Sequence, residues 1–202
     1  YQTDDGLLVT ADGQLVPISL VVTPMLLDSG VMGAVLVFRD ISHQKQVERE
    51  RLHTEGLLRR IQTGLSELAK NAQVYSGNLQ DAVQAVTRVA AECLHTERVS
   101  IWFFTGDRSG IQCADLYQLA TQEHSQGLAL SAADYPKYFQ ELETERVVAA
   151  DDAQTDTRTA EFTAGYLAPL GITSMLDVPI RSEGRMVGVI CHEHIGPKRH
   201  WM

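Results

Sequence analysis

The first forty residues contain three apolar runs in which hydrophobic and polar positions alternate. These runs are residues 7–10, 15–26 and 31–38, separated by Asp12-Gly13 and by Asp28-Ser29-Gly30. In the middle run, the even positions from Val16 to Val22 are apolar and share one face of a strand. An Asp-Gly pair between apolar runs is a strong hairpin signal. The pattern predicts a three-stranded antiparallel meander over residues 1–42.

The spacing of apolar residues becomes helical over residues 43–72. Two series recur at every seventh residue, namely Val47, Thr54, Ile61 and Leu68, and Arg51, Leu58, Leu65 and Ala72. Most of these positions are apolar, as in the seam of a two-stranded coiled coil, although Gly56 and Gly64 each weaken a helix by about 1 kcal/mol. The pattern predicts a dimeric helix over residues 43–55. For residues 57–72, the same seam and an amphipathic helix packed on its own domain are equally compatible.

Residues 73–202 mix helical and strand patterns. A first helix is expected to be capped by Asn78, with Leu79 and Val83 on its apolar stripe, and to be followed by strands at 99–103 and 111–117. Ser131-x-x-Asp134 resembles a capping box and indicates a second helix over 131–142. A strand at 146–150, a helix ending at Gly171, and a hairpin joining 172–180 to 186–192 are expected to complete the order. Gly188 lies in the second hairpin strand, where a side chain would crowd a neighbour. This order predicts an α+β fold with an antiparallel sheet.

Composition excludes several classes of function. The net charge is −9 and the pI is near 5.2, which argues against a nucleic-acid partner because duplex binding needs clustered Lys and Arg. The longest apolar stretch, residues 15–27, is broken by Pro17 and Pro24, so no membrane-spanning segment is expected. Cys93, Cys113 and Cys191 form no disulfide framework. Reduced thiols and the absence of a signal-peptide pattern predict a cytoplasmic location.

Residues 1–42 resemble the last three strands of a PAS domain. The resemblance rests on the Asp12-Gly13 hairpin, Pro17, the Gly30 and Gly33 pair, and the closing Phe38-Arg-Asp-Ile-Ser42, which matches the family's "DIT" signature with Ser in place of Thr. In that family the aspartate ties the last strand to the following linker, so the resemblance implies this role for Asp40. The elements that form a PAS ligand cavity would precede Tyr1, and no PAS ligand is assigned.

Residues from about 60 to 202 resemble a GAF domain, the small-molecule sensor fold of bacterial and phytochrome-type signalling proteins. The motifs that carry the resemblance are Asp134-Tyr135-Pro136, Tyr166-Leu-Ala-Pro-Leu-Gly171, Ile172-Thr-Ser-Met-Leu-Asp-Val-Pro-Ile180 and Met186-Val-Gly-Val-Ile-Cys-His192. The expected architecture is an antiparallel GAF sheet with helices, a three-strand PAS remnant and a long linker helix. The expected domains are a PAS part (1–42), a helical linker (43–72) and a GAF domain (73–202) that lacks its closing helix.

The GAF resemblance implies a ligand pocket between the sheet and the helices that follow Asp134 and Thr159. Its candidate lining residues are Asp134, Tyr135, Tyr138, Phe162, Tyr166, Met175 and His192. In phytochromes an Asp-x-Pro motif, a pocket tyrosine and a Cys-His pair match Asp134, Tyr166 and Cys191-His192. Phe162 and Thr163 stand where some phytochromes carry the Cys-His that attaches bilin, so a bilin chromophore is not expected. The alternative is a filled core without a ligand.

Candidate chemistry is sparse, and no catalytic residue or cofactor is assigned. Asp151 and Asp152 are adjacent, so their side chains point to opposite faces of an extended segment and cannot act as an acid/base pair. His192 and His194 share a strand face, but catalytic zinc needs a third protein ligand that is not evident. No metal site is therefore predicted. Cys191 lacks an oriented base and is expected to be an inert buried thiol.

The function implied by these resemblances is sensing and relay in a bacterial signalling protein. A ligand or partner would shift a homodimeric linker helix and bias an output domain outside this chain. The alternatives are a regulatory fragment of a histidine kinase or diguanylate cyclase, in which the GAF domain only dimerises and relays, and a bilin photoreceptor. No nucleic-acid partner is predicted.

Overall fold

The computed structural model describes residues 1–27 and 30–201. They divide into two compact units, residues 1–58 and residues 59–202. Asp28 and Ser29 of the turn predicted at Asp28-Ser29-Gly30 lie outside the described residues. In the sequence, the division between the two units falls within helix α1 (Ser42–Lys70).

The first unit contains a three-stranded antiparallel sheet in the order β1-β2-β3. Its strands are β1 (Gln2–Val9), β2 (Leu15–Leu27) and β3 (Gly30–Asp40). The predicted meander is confirmed, and Ile18 on the predicted apolar face is buried. The Asp40 carboxylate accepts a hydrogen bond of 2.8 Å from the backbone N–H of Ser42, so it caps the start of α1. Asp40 therefore makes the strand-to-helix contact expected of it.

The second unit is an α+β domain, and the predicted fold class is confirmed. Its sheet has the order β6-β5-β4-β10-β9-β8, with β7 paired to β5, and adjacent strands are antiparallel. The strands are β4 (Arg98–Phe104), β5 (Gly110–Gln118), β6 (Glu123–Ser125), β7 (Ala129–Ser131), β8 (Val148–Ala150), β9 (Ile172–Ser182) and β10 (Arg185–Ile195). Its helical elements are the end of α1, α2 (Leu79–Leu94), α3 (Pro136–Thr144) and a segment of mixed helical turns over residues 160–170.

Two hydrophobic clusters lie on opposite faces of this sheet. Val189 and Cys191 of β10 belong to the large cluster shared with α3 and the 160–170 segment, whereas Ile190 packs with Ala91 of α2. Side chains alternate between the faces of a strand, so these contacts place α2 on one face and α3 on the other. Gly188 allows β10 and β4 to approach closely, because a Cβ atom there would lie 2.1 Å from the Trp102 carbonyl oxygen.

The final third of α1 packs against α2. Gly64 is buried, and a Cβ atom there would lie 2.2 Å from the Cys93 sulfur, so this glycine permits close approach of the two helices. Arg60 Nε donates to the Cys93 carbonyl oxygen at 3.3 Å. Two alternatives were open for residues 57–72. The contacts with α2 show the second of them, a helix packed on its own domain. Asn78 caps α2 as predicted, but Leu79 is exposed, so the predicted stripe was wrong at its first position.

None of the helices within residues 1–27 and 30–201 combines the length and apolar character needed to cross a bilayer.

Candidate functional site

A small internal cavity lies in the large hydrophobic cluster, between the sheet and the elements on its α3 face. Its lining residues are Trp102, Ile111, Leu130, Tyr138, Phe162, Tyr166, Met175, Cys191 and Glu193. The cavity volume is about 20 Å³, which is room for about one water molecule. The site is therefore almost filled by its own side chains in this conformation.

Tyr138, Asp177 and Cys191 form a buried polar group beside the cavity. The Tyr138 hydroxyl donates to Asp177 Oδ2 at 2.6 Å and lies 3.7 Å from the Cys191 sulfur. Asp177 Oδ1 has no hydrogen-bond partner among the described residues. Burial raises the pKa of Asp177 to about 7, so this carboxyl holds a proton over much of the pH range below neutrality. Burial likewise raises the pKa values of Tyr138 and Cys191, which keeps the thiol protonated.

Glu193, Arg98 and Tyr166 form a second polar group on the cavity wall. Glu193 is 3% exposed and Arg98 is 9% exposed, and Arg98 Nε donates to Glu193 Oε2 at 2.8 Å. The Tyr166 hydroxyl donates to Glu193 Oε1 at 2.8 Å and accepts from an Arg98 terminal nitrogen at 3.1 Å. Burial raises the pKa of Glu193, and the Arg98 guanidinium opposes that rise.

Aromatic rings form much of the cavity wall on the helical side. Tyr135 stacks on Phe162 with ring centroids 4.3 Å apart, and Tyr138 meets the same ring edge-on at 4.8 Å. Phe162 and Tyr166 come from the 160–170 segment, which contains a 3₁₀ turn (Ala160–Phe162) and a π-helical turn (Thr163–Leu167). Wide turns of this kind are frequent at functional sites because they reposition individual side chains.

The structure brings together part of the predicted pocket set. Tyr138, Phe162, Tyr166 and Met175 line the cavity. Tyr135 lies one layer behind, through its stacking on Phe162. The side chain of Asp134 is exposed, so the structure does not bring it to the cavity.

His192 is buried but lies on the opposite face of the sheet from Cys191. Its Nδ1 atom is 2.9 Å from the Leu176 carbonyl oxygen, and burial lowers its pKa. The prediction transferred His192 from the Cys-His pair of phytochromes and did not weigh strand alternation against it. Because neighbouring strand residues point in opposite directions, Cys191 and His192 cannot both face one cavity.

The helix predicted over residues 131–142 begins later than expected, at Pro136. Its N-cap position is Tyr135, which makes no side-chain cap. Instead, the Glu161 carboxylate accepts from the backbone N–H groups of Lys137 at 3.3 Å and Tyr138 at 3.1 Å. This capping carboxylate comes from a distant segment, so the local Ser131-x-x-Asp134 pattern was the wrong signal.

Asp177, Glu193 and Arg98 are site residues that the sequence interpretation missed. Asp177 lies within an apolar strand pattern and Arg98 and Glu193 directly border one, whereas charged residues are almost never fully buried unless they are paired. A charged residue in or beside an apolar strand was therefore the feature that could have pointed to these three residues. It did not identify the partners, because Arg98 and Glu193 are 95 residues apart in the chain.

The carboxylates of Asp151 and Asp152 bind residues near the end of the described chain. Asp151 accepts from the backbone N–H of Trp201 at 3.0 Å and pairs with His200, while Asp152 pairs with Lys198 at 2.6 Å. Across residues 1–27 and 30–201, no group of three His, Cys, Asp or Glu side chains is arranged to hold a metal ion.

The second unit matches a known protein family. The family model described as "GAF domain" matches residues 78–202, more than half of the chain. The chain therefore belongs to the GAF domain family, whose members are generally sensory or regulatory modules. A search of the curated proteins finds no match.

Several solved structures share this fold. The chromophore-binding domain of Stigmatella aurantiaca phytochrome P1 is 16% identical with a TM-score of 0.56, covering 94% of this chain and 65% of that one. A phycocyanobilin-bound GAF domain from a cyanobacterial phytochrome is 22% identical with a TM-score of 0.52, covering 73% and 82%. The GAF domain of a phosphoenolpyruvate-protein phosphotransferase from Coxiella burnetii is 16% identical with a TM-score of 0.54, covering 73% and 82%. At these identities the likeness shows the fold.

Proposed function

We propose that this chain is the sensory and relay part of a bacterial signalling protein. A small molecule binds in the GAF cavity, and helix α1 carries the response to an output domain elsewhere in the polypeptide. The observation that supports this proposal is the cavity. Its aromatic rings lie close to the buried carboxyl groups of Asp177 and Glu193, beside a segment of irregular helical turns. Small-ligand sites combine apolar walls with a few placed polar groups in this way.

The proposed response starts at Tyr166, because this residue connects the 160–170 segment to the sheet. Its hydroxyl bonds to Glu193 and Arg98 on neighbouring strands. The closed cavity holds about one water, so a larger ligand requires this contact to open. A ligand that binds the open form better than the closed form shifts the balance between them.

The test of ligand sensing is native mass spectrometry of the purified full chain, followed by thermal shift with any retained molecule. A retained molecule that raises the melting temperature of the wild type supports the proposal if it produces a larger rise in Tyr166→Phe, which lacks the hydroxyl contacts that must open. A molecule that binds equally well to a variant with a blocked cavity, such as Cys191→Trp, would place the site elsewhere.

The proposed dimer forms through α1. Leu58 and Leu65 are 55% and 62% exposed at predicted seam positions, and residues of α1 and α2 form an apolar groove of about 260 Å³ in the second unit. The groove is lined by Ile61, Gly64, Leu65, Leu68, Val86, Val89, Ala90, Cys93 and Leu94. Side chains from the α1 helix of a second copy suit it in size and polarity.

The dimer is tested by sedimentation of a Leu58→Asp, Leu65→Asp double variant. The wild type is expected to sediment as a dimer and the double variant as a monomer, since two charges would be buried in an apolar seam. Leu52→Asp is a matched control, because Leu52 is also 55% exposed on α1 but lies off the seam. A double variant that sediments like the wild type contradicts the dimer.

The remaining proposals concern the wider protein. Residues 1–42 are proposed to be the closing strands of a PAS domain, supported by the meander and by the Asp40 cap on α1. The output domain is proposed to be a histidine kinase or a diguanylate cyclase. This chain itself is proposed to be non-catalytic, and its location to be cytoplasmic. The coding sequence after Met202 tests this, because the two outputs have different motifs. A colourless protein after co-expression with bilin synthesis is expected, since Phe162 and Thr163 offer no attachment cysteine.

A further inference from the structure

Acidic groups exceed basic groups around the cavity. Glu193 lines the cavity, and Asp177 pairs directly across β9 and β10 with Cys191, which also lines it. Arg98 is the cation in contact with this group, and its three nitrogens already donate to Glu193, Gln118 and Tyr166. An anionic ligand would therefore find Arg98 already engaged, whereas a cation would meet two carboxyl groups.

Asp177 has unused capacity to accept hydrogen bonds. It is completely buried, and its Oδ2 atom accepts from Tyr138 while Oδ1 has no partner among the described residues. A buried acceptor without a partner is costly, so the free Asp177 oxygen calls for a donor that the described residues do not supply. Asp177 does not itself line the cavity, but Tyr138, which donates to it, and Cys191, its cross-strand neighbour, both do, so a donor in the cavity reaches this carboxyl past these two side chains.

The occupied oxygens of Glu193 show how a ligand would gain access. Glu193 Oε1 is bonded to the Tyr166 hydroxyl, which comes from the π-helical turn rather than from the sheet. A ligand N–H group can take the place of this hydroxyl if Tyr166 moves away. The space that Tyr166 vacates would lie against Phe162, so a flat apolar body suits it.

We propose that the cavity binds a small planar cation bearing N–H donors on a flat apolar body, such as an amidinium or a protonated aromatic amine. Glu193 and Asp177 accept its N–H groups, and the aromatic wall of Phe162 and Tyr138 contacts its ring. This inference rests on the proposed sensing function and specifies its ligand class. It also predicts that binding releases a proton, because Asp177 must be ionised to pair with the cation.

The test is calorimetric titration of the full chain with benzamidinium and with benzamide, its neutral isostere. Benzamidinium is expected to bind at least about tenfold more tightly than benzamide, because hydrogen bonds to a charged group are the stronger ones. Titration at about pH 6 in buffers of different ionisation enthalpy measures the proton count. Up to about one proton is expected to leave, since burial raises the pKa of Asp177 to about 7. Tyr138 of α3 and Cys191 and Glu193 of β10 face this carboxyl.

The variant Asp177→Asn is expected to weaken benzamidinium binding at least about tenfold, to leave benzamide binding unchanged and to reduce the proton release. Asp115→Asn is the matched control. Asp115 is also buried with an unpartnered Oδ1, but its other oxygen bonds to Thr87 of α2 on the opposite face of the sheet. This control is expected to bind benzamidinium like the wild type.

Equal binding of benzamidinium and benzamide by the wild type overturns the ligand class, and so does the absence of binding by either probe at millimolar concentration. These wild-type results do not depend on the folding of a variant. Unchanged affinity and proton release in Asp177→Asn would also overturn it. A retained neutral or anionic molecule that binds this cavity would contradict the ligand class while leaving the sensing function in place.

Discussion

The two sheets of this protein have similar apolar patterns but differ in how far their side chains are buried. Leu36 and Phe38 of β3 are 59% and 58% exposed, whereas Val189 of β10 is fully buried. The second sheet has helices on both faces, and its strand side chains pack into two clusters. The difference teaches that apolar alternation predicts a strand, while its contribution to stability depends on the layer that covers it.

The largest expected effect comes from removing a covered side chain. Leu142→Ala is expected to lower the free energy of unfolding by about 2–5 kcal/mol, because Leu142 is fully buried in the large cluster. Leu36→Ala on the exposed sheet is expected to change it by no more than about 0.5 kcal/mol. Denaturant titration followed by circular dichroism measures both. Similar losses would show that the first sheet is covered in solution.

The next effect concerns pH and the buried carboxyl of Asp177. Its pKa is about 7 in the folded state and 3.8 is its ordinary value, so the folded state holds this proton when the unfolded state has lost it. The stabilising contribution is complete below about pH 4 and is lost as the pH rises to about 7. It amounts to at most about 4 kcal/mol.

Unfolding titrations of the wild type and Asp177→Asn across this pH range measure the contribution as a difference in slope. The free energy of unfolding of the wild type is expected to fall as the pH rises from about 4 to about 7. Asp177→Asn is expected to lack the part of this fall that comes from Asp177. Parallel pH profiles would mean that this carboxyl is ionised in the folded state and reached by water.

A smaller effect is expected where α1 packs on α2. Gly64→Ala is expected to destabilise the second unit by about 1–3 kcal/mol, because the new Cβ atom would lie 2.2 Å from the Cys93 sulfur. Adding Cys93→Ala removes that sulfur and should restore most of the loss, with helix propensity then favouring alanine. A single variant as stable as the wild type would show that the two helices separate easily in solution.

The smallest expected effect is at the end of the exposed sheet. Asp40→Ala removes the acceptor for the Ser42 N–H group and is expected to cost about 1 kcal/mol of helix stability. Asp40→Asn keeps an acceptor oxygen and should retain most of it. The helical circular dichroism signal during thermal unfolding separates these two variants.

Much of the fold was predictable because it follows from local patterns. The Asp12-Gly13 turn and the capping of α2 by Asn78 are set by neighbouring residues. The need for glycine at position 188 was also visible in the strand pattern, although the Trp102 carbonyl that it approaches lies on β4. The candidate site was less predictable. Four of its aromatic and apolar residues were anticipated from the family resemblance, but its carboxyl groups and Arg98 were not.

The misplaced site residues have a common physical cause. His192 was assigned to the cavity from the phytochrome resemblance, but strand alternation directs it to the other face. The start of α3 was assigned from a local capping pattern, but Glu161 supplies the cap from another segment. Local sequence carries no information about which distant side chain fills such a position.

By itself, the sequence determined the order of helices and strands, the antiparallel sheet and the membership of the GAF family, because alternation, turn chemistry and motif spacing act over short distances. Only the tertiary structure decided which charged residues became buried together, leaving Asp177 one partner short and linking Tyr166 to Glu193 and Arg98. Those contacts depend on strand register and helix placement, which join residues far apart in the chain. In the low-dielectric protein interior, the partners of each buried group determine whether it carries a charge.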